Sequence, residues 1–221
     1  MSSDSKIEWT GDTHQFVSGC EDISPGCAFC YAKRQAHRMG SNPNPKIQQR
    51  YRGLTVLRGN GPQWTGEVRP LPEQLGVPLA QKRPRTIFVN SLSDTFHKDI
   101  PDEYIAAMFG VMACAQRHTF QVLTKRAERM RQWFEWCGTR TDESGATWCA
   151  NATCRREASL WHSLSLAVHT EHDATNRWPL PNVHLGVSVE DRKYGLPRIE
   201  ALRATPATPS VCAWAERMMR A

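Results

Sequence analysis

TIFVNSLSDTFHKDIPDEYIAAMFGVMACAQRHTFQVLTKR, residues 86–126, decides the fold. Its flanks, TIFVN at 86–90 and TFQVL at 119–123, are short apolar runs rich in β-branched and aromatic residues, as buried strands are. Between them Pro101 suits the first turn of a helix, and Ile105, Met108, Phe109 and Met112 repeat at i, i+3, i+4 and i+7. The two strands start 33 residues apart (119 minus 86). That is the length of one strand–helix–strand unit, so the two strands are expected to run parallel.

The same rhythm continues outward. HQFVS at 14–18 reads as an earlier strand, and CAFCYAKRQAHRM, after the Ser24-Pro25-Gly26 turn, reads as a helix. Cys27, Cys30 and Tyr31 would then share one face of its first turn. Residues 41–70, rich in Gly, Pro, Asn and Arg, read as a long irregular connection, with a short helix after Pro72. Beyond 123, Met130, Trp133, Phe134 and Cys137 repeat the helical pattern. VHLGVSV at 183–189 is a fourth strand, with a short helix after Asp191 and no strand expected after Val189. Residues 138–181 form an insertion-like segment within what is expected to be a single domain spanning 1–221. Alternating strands and helices favour an α/β barrel or an open parallel sheet over an all-α or all-β fold.

Composition narrows the class. With 40% apolar and 23% charged residues the chain is globular, neither disordered nor collagen-like. Twenty-eight Lys and Arg against twenty-two Asp and Glu give +6, which permits an anionic partner without requiring one. No run of 18 apolar residues exists to span a membrane. MSSDSKIEWTGD at the start lacks a basic n-region and an apolar h-region, so a cytoplasmic location is expected. Eight cysteines in such a chain then point to metal binding or buried thiols before disulfides.

Cys20, Cys27 and Cys30 form the pattern C-x6-C-x2-C. Thiolates ligate iron–sulfur clusters and zinc. Three of them leave one corner of a four-iron cluster open, as a catalytic cluster requires. A zinc site completed by His14 or His37, and three unliganded thiols, are the competing readings. Spacing does not choose among them.

The run GCEDISPGCAFCYAKRQAHR (19–38), with TGEVRP at 65–70, FVNSLSDTFHKDIP at 88–101, VLTKRAERM at 122–130 and PNVHLGVSVED at 181–191, resembles a phage-associated family of unassigned function. That family belongs to the radical S-adenosylmethionine superfamily and is similar to relatives of spore photoproduct lyase. The resemblance implies an α/β fold, a partial TIM-type (βα) barrel with parallel strands, short at the C-terminus. It also implies a [4Fe-4S] cluster at the C-terminal mouth of the strands, each iron but one held by Cys20, Cys27 or Cys30. The superfamily's usual pattern is C-x3-C-x2-C with an aromatic before the last cysteine. Cys27, Phe29 and Cys30 match it, while the gap after Cys20 is wider. In such enzymes the open iron chelates S-adenosyl-L-methionine, and one electron from a reducing donor cleaves it to methionine and a 5′-deoxyadenosyl radical.

Further candidates follow the strand ends. Asn90 and Ser91 sit roughly where the superfamily contacts the methionine amino group, although its glycine-glycine-glutamate run is absent. Asp94 and His97 are candidates for substrate orientation or proton transfer, or else for a Ser/Asp turn and helix cap. Lys125 and Arg126 are candidates for a cofactor carboxylate, a phosphate or an adenine edge, or for surface charge, and Thr124 for a helix cap. Glu190 is a candidate ligand for a sugar hydroxyl or substrate, or a solvated acidic turn. Cys137, Cys149 and Cys154 with His162 could form a second metal site or ordinary packing; Cys114 and Cys212 read as core or interface. Basic clusters at 34–38, 50–52, 81–85, 124–126 and 154–156 make nucleic acid a candidate substrate, though no helix-turn-helix, zinc-finger or RNA-recognition pattern is present. The expected function is thus an iron–sulfur protein acting as a radical S-adenosylmethionine enzyme on an unidentified substrate. The alternative is a zinc-stabilised nucleic-acid-binding or non-catalytic phage accessory protein.

Overall fold

The computed structural model describes residues 7–138, 179–206 and 212–215, with the single positions 157 and 160. The chain opens with β1 (Asp12–His14) and β2 (Val17–Ser18), a 3-10 turn at Pro25–Phe29, and α1 (Tyr31–Gly40). Next come α2 (Pro45–Tyr51), β3 (Thr55–Arg58), β4 (Gly61–Trp64), β5 (Arg69–Pro70), a second 3-10 turn at Pro72–Gln74, and α3 (Val77–Ala80). The alternating part follows: β6 (Thr86–Val89), α4 (Asp102–Cys114), β7 (Thr119–Thr124), α5 (Ala127–Gly138), β8 (Val183–Val189), α6 (Arg192–Ala204) and β9 (Cys212–Ala215).

Five strands form one parallel sheet in the order β1-β6-β7-β8-β9. Spatial order follows chain order, so the sheet has no switch point. The fold class is α/β, as the strand–helix rhythm requires.

α4 is apolar all round. Tyr104 to Ala113 are all buried, as befits a helix enclosed on every side. Phe109 stacks on Trp133 of α5 at 4.6 Å and meets Phe134 edge-on at 5.6 Å. Strand residues alternate in facing: Ile87, Val89, Phe120 and Val122 join this helix-side core. Phe88, Leu123 and Ser188 instead line a cavity.

Three expectations need correction. HQFVS is not one strand: β1 ends at His14, and Val17–Ser18 pairs antiparallel with β5. The cause is Asn90, held at φ +56, whose Oδ1 accepts the N–H groups of Phe16 (2.8 Å) and Val17 (3.1 Å). A side chain thus replaces the sheet partner, and the chain leaves the sheet. Residues 41–70 are not irregular. Asn44 caps α2 by accepting from the Lys46 N–H, Pro45 occupies its first turn, and β3 and β4 form a hairpin around Gly59-Asn60. Last, a strand does follow Val189: β9 pairs with β8 from Gly186↔Cys212 to Val189↔Ala215. Four residues, CAWA, are too short to show a period.

The short helix expected after Asp191 is the thirteen-residue α6, capped by the Asp191 carboxylate accepting from the Tyr194 N–H. Cys149, Cys154 and His162 lie outside the described residues. No helix among the described residues is long and apolar enough to cross a membrane.

Candidate functional site

A cavity of about 180 Å³ opens at the C-terminal edge of the sheet. Cys20, Cys27 and Cys30 all line it, with Asn90, Ser91 and Asp94 after β6, Lys125 and Arg126 after β7, and Ser188 near the end of β8. Trp9 and Phe88, with ring centroids 4.6 Å apart, contribute an apolar wall. Parallel strands concentrate ligand sites at this edge because their loops converge there.

The local chain explains how three thiols converge. Gly19, at φ +88, precedes Cys20, and a Cβ there would lie 2.1 Å from the Glu67 carbonyl oxygen. Only glycine allows this close crossing. Cys27 lies in the 3-10 turn, buried, with its Sγ 3.7 Å from Ser24 Oγ. Cys30 is extended (φ −65, ψ 118) and forms the N-cap of α1. Cys27 and Cys30 therefore do not share an α-helical face; the expected continuous helix breaks between them. Phe29, between them, is 79% exposed.

Glu190 anchors this loop. Its Oε1 accepts from Ser24 Oγ at 2.7 Å, Lys125 Nζ at 2.5 Å and Arg198 Nη1 at 3.3 Å, and its Oε2 accepts from the Gly26 N–H at 3.1 Å. Burial opposes the charged form. The hydrogen bonds from Lys125 and Ser24 overcome it and bring the carboxyl down to about 2. A Cβ on Gly26 would sit 2.5 Å from Glu190 Cδ, so the glycine admits the carboxylate. Glu190 does not line the cavity. It is a bridge between β8 and the cysteine loop rather than a solvated acidic turn, and Lys125 is its partner.

Asp94 and Arg126 line the cavity beside Cys20. Asp94 Oδ1 accepts from the Phe96 N–H (3.0 Å) and Thr124 Oγ1 (2.7 Å), and Oδ2 from the Lys125 N–H (3.3 Å) and Arg126 Nη1 (3.0 Å). Four donors occupy this carboxylate, an arrangement suited to orienting Arg126. Thr124 also caps the entry to α5, accepting from the Arg126 N–H at 2.9 Å. Arg126 Nη1 approaches Cys20 Sγ at 3.9 Å, while its Nη2 is buried without a hydrogen-bond partner. Burial, then the Asp94 charge, pushes the Cys20 thiol up to about 12 against the opposing Arg126 cation. Metal binding at Cys20 would therefore release a proton.

The remaining candidates divide. Asn90 has both side-chain ends engaged, its Nδ2 donating to Thr95 Oγ1 at 2.9 Å, and so organises the strand end. Ser91 Oγ accepts from Gln15 Nε2 at 2.7 Å, and its carbonyl accepts from Tyr31 Oη at 2.8 Å, tying α1 to the β6 loop. His97 is fully buried and does not line the cavity; it faces Glu21 and Asp99. Burial, aided by Arg126, lowers its pKa against the pull of the nearby carboxylates. His14 Nε2 donates to the Gln74 carbonyl (3.0 Å), and His37 Nδ1 shares a hydrogen bond with Thr55 Oγ1 (3.0 Å); neither lines the cavity. Cys137 is packed in the core. Trp9, Glu21 and Arg198 were not evident as site residues, since nothing local to them signals the distant partner each meets.

The site is thus a thiol-lined cavity, walled by an arginine–aspartate pair, at the strand-end edge of a parallel α/β sheet. Residues 4–215 match the family described as "Protein of unknown function (DUF5131)", and the chain belongs to that family. No curated protein and no solved structure matches it.

Proposed function

We propose that the protein is a radical S-adenosylmethionine enzyme, built on a partial TIM-type barrel, that holds a [4Fe-4S] cluster with Cys20, Cys27 and Cys30 and S-adenosyl-L-methionine beside it. One observation carries the reading: three thiols from a loop, a 3-10 turn and a helix cap line a single cavity at the C-terminal edge of the sheet.

The donor set suits a cluster better than one zinc ion. Tetrahedral zinc with bonds of about 2.3 Å would set sulfurs about 3.8 Å apart. Among the described residues, the three thiols do not form a group whose ligand atoms all lie within 4.8 Å of one another. Thiolates on separate irons stand farther apart than thiolates on one ion. Neither His14 nor His37 faces the cavity to complete a zinc shell. The sheet order, β1-β6-β7-β8-β9 without reversal, is that of consecutive barrel strands.

When bound, the cluster and its cofactor supply the one-electron chemistry that generates a carbon radical for hydrogen abstraction. The protein's own residues position and shield. Arg126 Nη2, buried and unpaired, is the donor best suited to a cofactor carboxylate, and Asp94 holds it in place. Trp9, Phe88 and Leu123 present an apolar wall that excludes water. Glu190 fixes the loop carrying Cys27. Nucleic acid is the candidate substrate, supported by the exposed Arg34, Arg38, Arg52 and Arg58, with a reducing protein as electron donor.

Anaerobic purification with iron, sulfide and zinc quantification tests this. About four irons and four sulfides per chain are expected, with 5′-deoxyadenosine released on reduction with S-adenosylmethionine. Cys27→Ala should lose the iron, and Cys212→Ala should keep it. One zinc without sulfide overturns the reading.

A further inference from the structure

The positive charge of this chain is segregated. Between Asp22 and Glu67 the sequence holds seven Lys and Arg and no Asp or Glu. Asp22 neutralises Lys33 and Glu73 neutralises Arg50. The other five, Arg34, Arg38, Lys46, Arg52 and Arg58, are exposed and form no ion pair among the described residues. An acid-free stretch of this kind favours a polyanionic partner.

α1 aligns part of this charge with the cavity. Ala32, Lys33 and Ala36 are its buried residues. Tyr31, Arg34 and Arg38, at i, i+3 and i+7, fall together on the opposite face, and all three are exposed. Tyr31 lines the cavity, and its hydroxyl, donating to the Ser91 carbonyl at 2.8 Å, fixes the ring there. Phe29, two residues earlier, is 79% exposed and lies outside the cavity lining. Two accessible aromatic rings at the mouth thus lead to two guanidinium groups along the helix. Those groups start one turn apart, about 6 Å along the axis, so each meets a separate phosphate.

We propose that this row is the track on which a single strand of nucleic acid enters the cavity, with phosphates on Arg34 and Arg38 and unpaired bases stacked on Phe29 and Tyr31. The inference rests on the reading above that nucleic acid is the substrate, and it names the form: an unpaired strand rather than an intact duplex. Aromatic side chains stack on bases whose own faces are free. A cavity of about 180 Å³ receives a base only after that base has left its duplex. An acidic protein would answer the arginines but offers no base to stack on Phe29.

Fluorescence anisotropy of a labelled oligothymidine with the full-length protein tests the track. The single strand should bind at least tenfold tighter than its duplex with oligoadenine. Arg34→Gln and Arg38→Gln should each weaken single-strand binding several-fold and flatten the slope of log K against log salt by about 0.7. Phe29→Ala should weaken it about fivefold or more. Arg83→Gln, exposed just before β6 and so at the far edge of the sheet, should change it less than twofold. Duplex binding as tight as single-strand binding overturns the proposal, as do equal losses from Arg34→Gln and Arg83→Gln. Binding indifferent to Phe29→Ala overturns it too, and so does Arg34-dependent affinity for an acidic protein with none for the oligonucleotide. Iron analysis separates the two readings: strand binding by a chain that holds no iron upholds the track and rejects the enzyme, whereas a full cluster without strand binding rejects the track alone.

Discussion

Glu190→Gln tests how the cysteine loop is held. The carboxylate accepts from four donors, two of them cationic, and its side chain is 9% exposed. Keeping this carboxyl at about 2 instead of its ordinary 4.5 corresponds to about 3 kcal/mol in favour of the charged form. Mutational experience with broken buried pairs gives the same scale, about 3–5 kcal/mol, since Lys125 and Arg198 would be left facing each other without an anion. Glutamine preserves the volume but not the charge, and it turns an N–H₂ toward one of the donors. The variant should therefore lose about 3 kcal/mol. For a domain of this size that is a fall of about 6–12 °C in Tm, or about 1–1.5 M in the urea midpoint. Ser24 and Gly26 lie just before Cys27 in the same turn, so a thiol reagent should also label Cys27 faster in the folded variant. Glu200→Gln, at an exposed position on α6, is the control and should stay within about 0.5 kcal/mol of wild type. If Glu190→Gln matches that control in both stability and labelling, the bridge does not hold the loop.

The pH profile follows from the same group. The folded-state pKa of Glu190 is depressed, so its contribution is complete above about 4.5 and is lost as pH falls toward about 2. Urea midpoints measured across that window should drop more steeply for wild type than for Glu190→Gln; parallel curves would contradict the assignment. Gly26→Ala, whose Cβ would meet the Glu190 carboxylate at 2.5 Å, should destabilise by about 2–4 kcal/mol and add little to Glu190→Gln, because both break one bridge. Additive losses in the double variant would refute the shared origin. Gly19→Ala forces a positive φ and a 2.1 Å contact with a carbonyl oxygen, so it should cost more than about 3 kcal/mol and displace Cys20. Near wild-type unfolding of that variant would show that the crossing can relax.

How much was legible varied by element. The β6–α4–β7 unit is legible to within a residue or two, because TIFV and TFQVL are apolar runs and α4 repeats at helical spacing. Val183–Val189 was equally plain. The HQFVS reading failed because what bends that segment is a side chain 74 residues away: Asn90 satisfies the Phe16 N–H and frees the chain from the sheet. α2 and the β3–β4 hairpin escaped because short, half-exposed elements carry caps and turn residues but little hydrophobic period. Of the site, the three cysteines were visible as a pattern, and Asp94, Lys125 and Glu190 as polar residues after strands. Their tasks were not visible. Glu190 was a candidate ligand and is a loop anchor; His97 was a candidate for proton transfer in the site and is turned away from the cavity.

Local order determined the class of this protein: apolar spacing sets which segments are strands and helices, and thiol spacing nominates three ligands. Those properties depend on neighbours within a few residues, so the chain alone specifies them. Which strand ends meet was decided only in three dimensions. So was the pairing of Glu190 with a loop 164 residues earlier. Arg126 likewise keeps one buried N–H₂ unpaired only because of the folded packing. Desolvation, close approach and charge pairing are properties of distance in space, and distance in space is what a linear sequence does not carry.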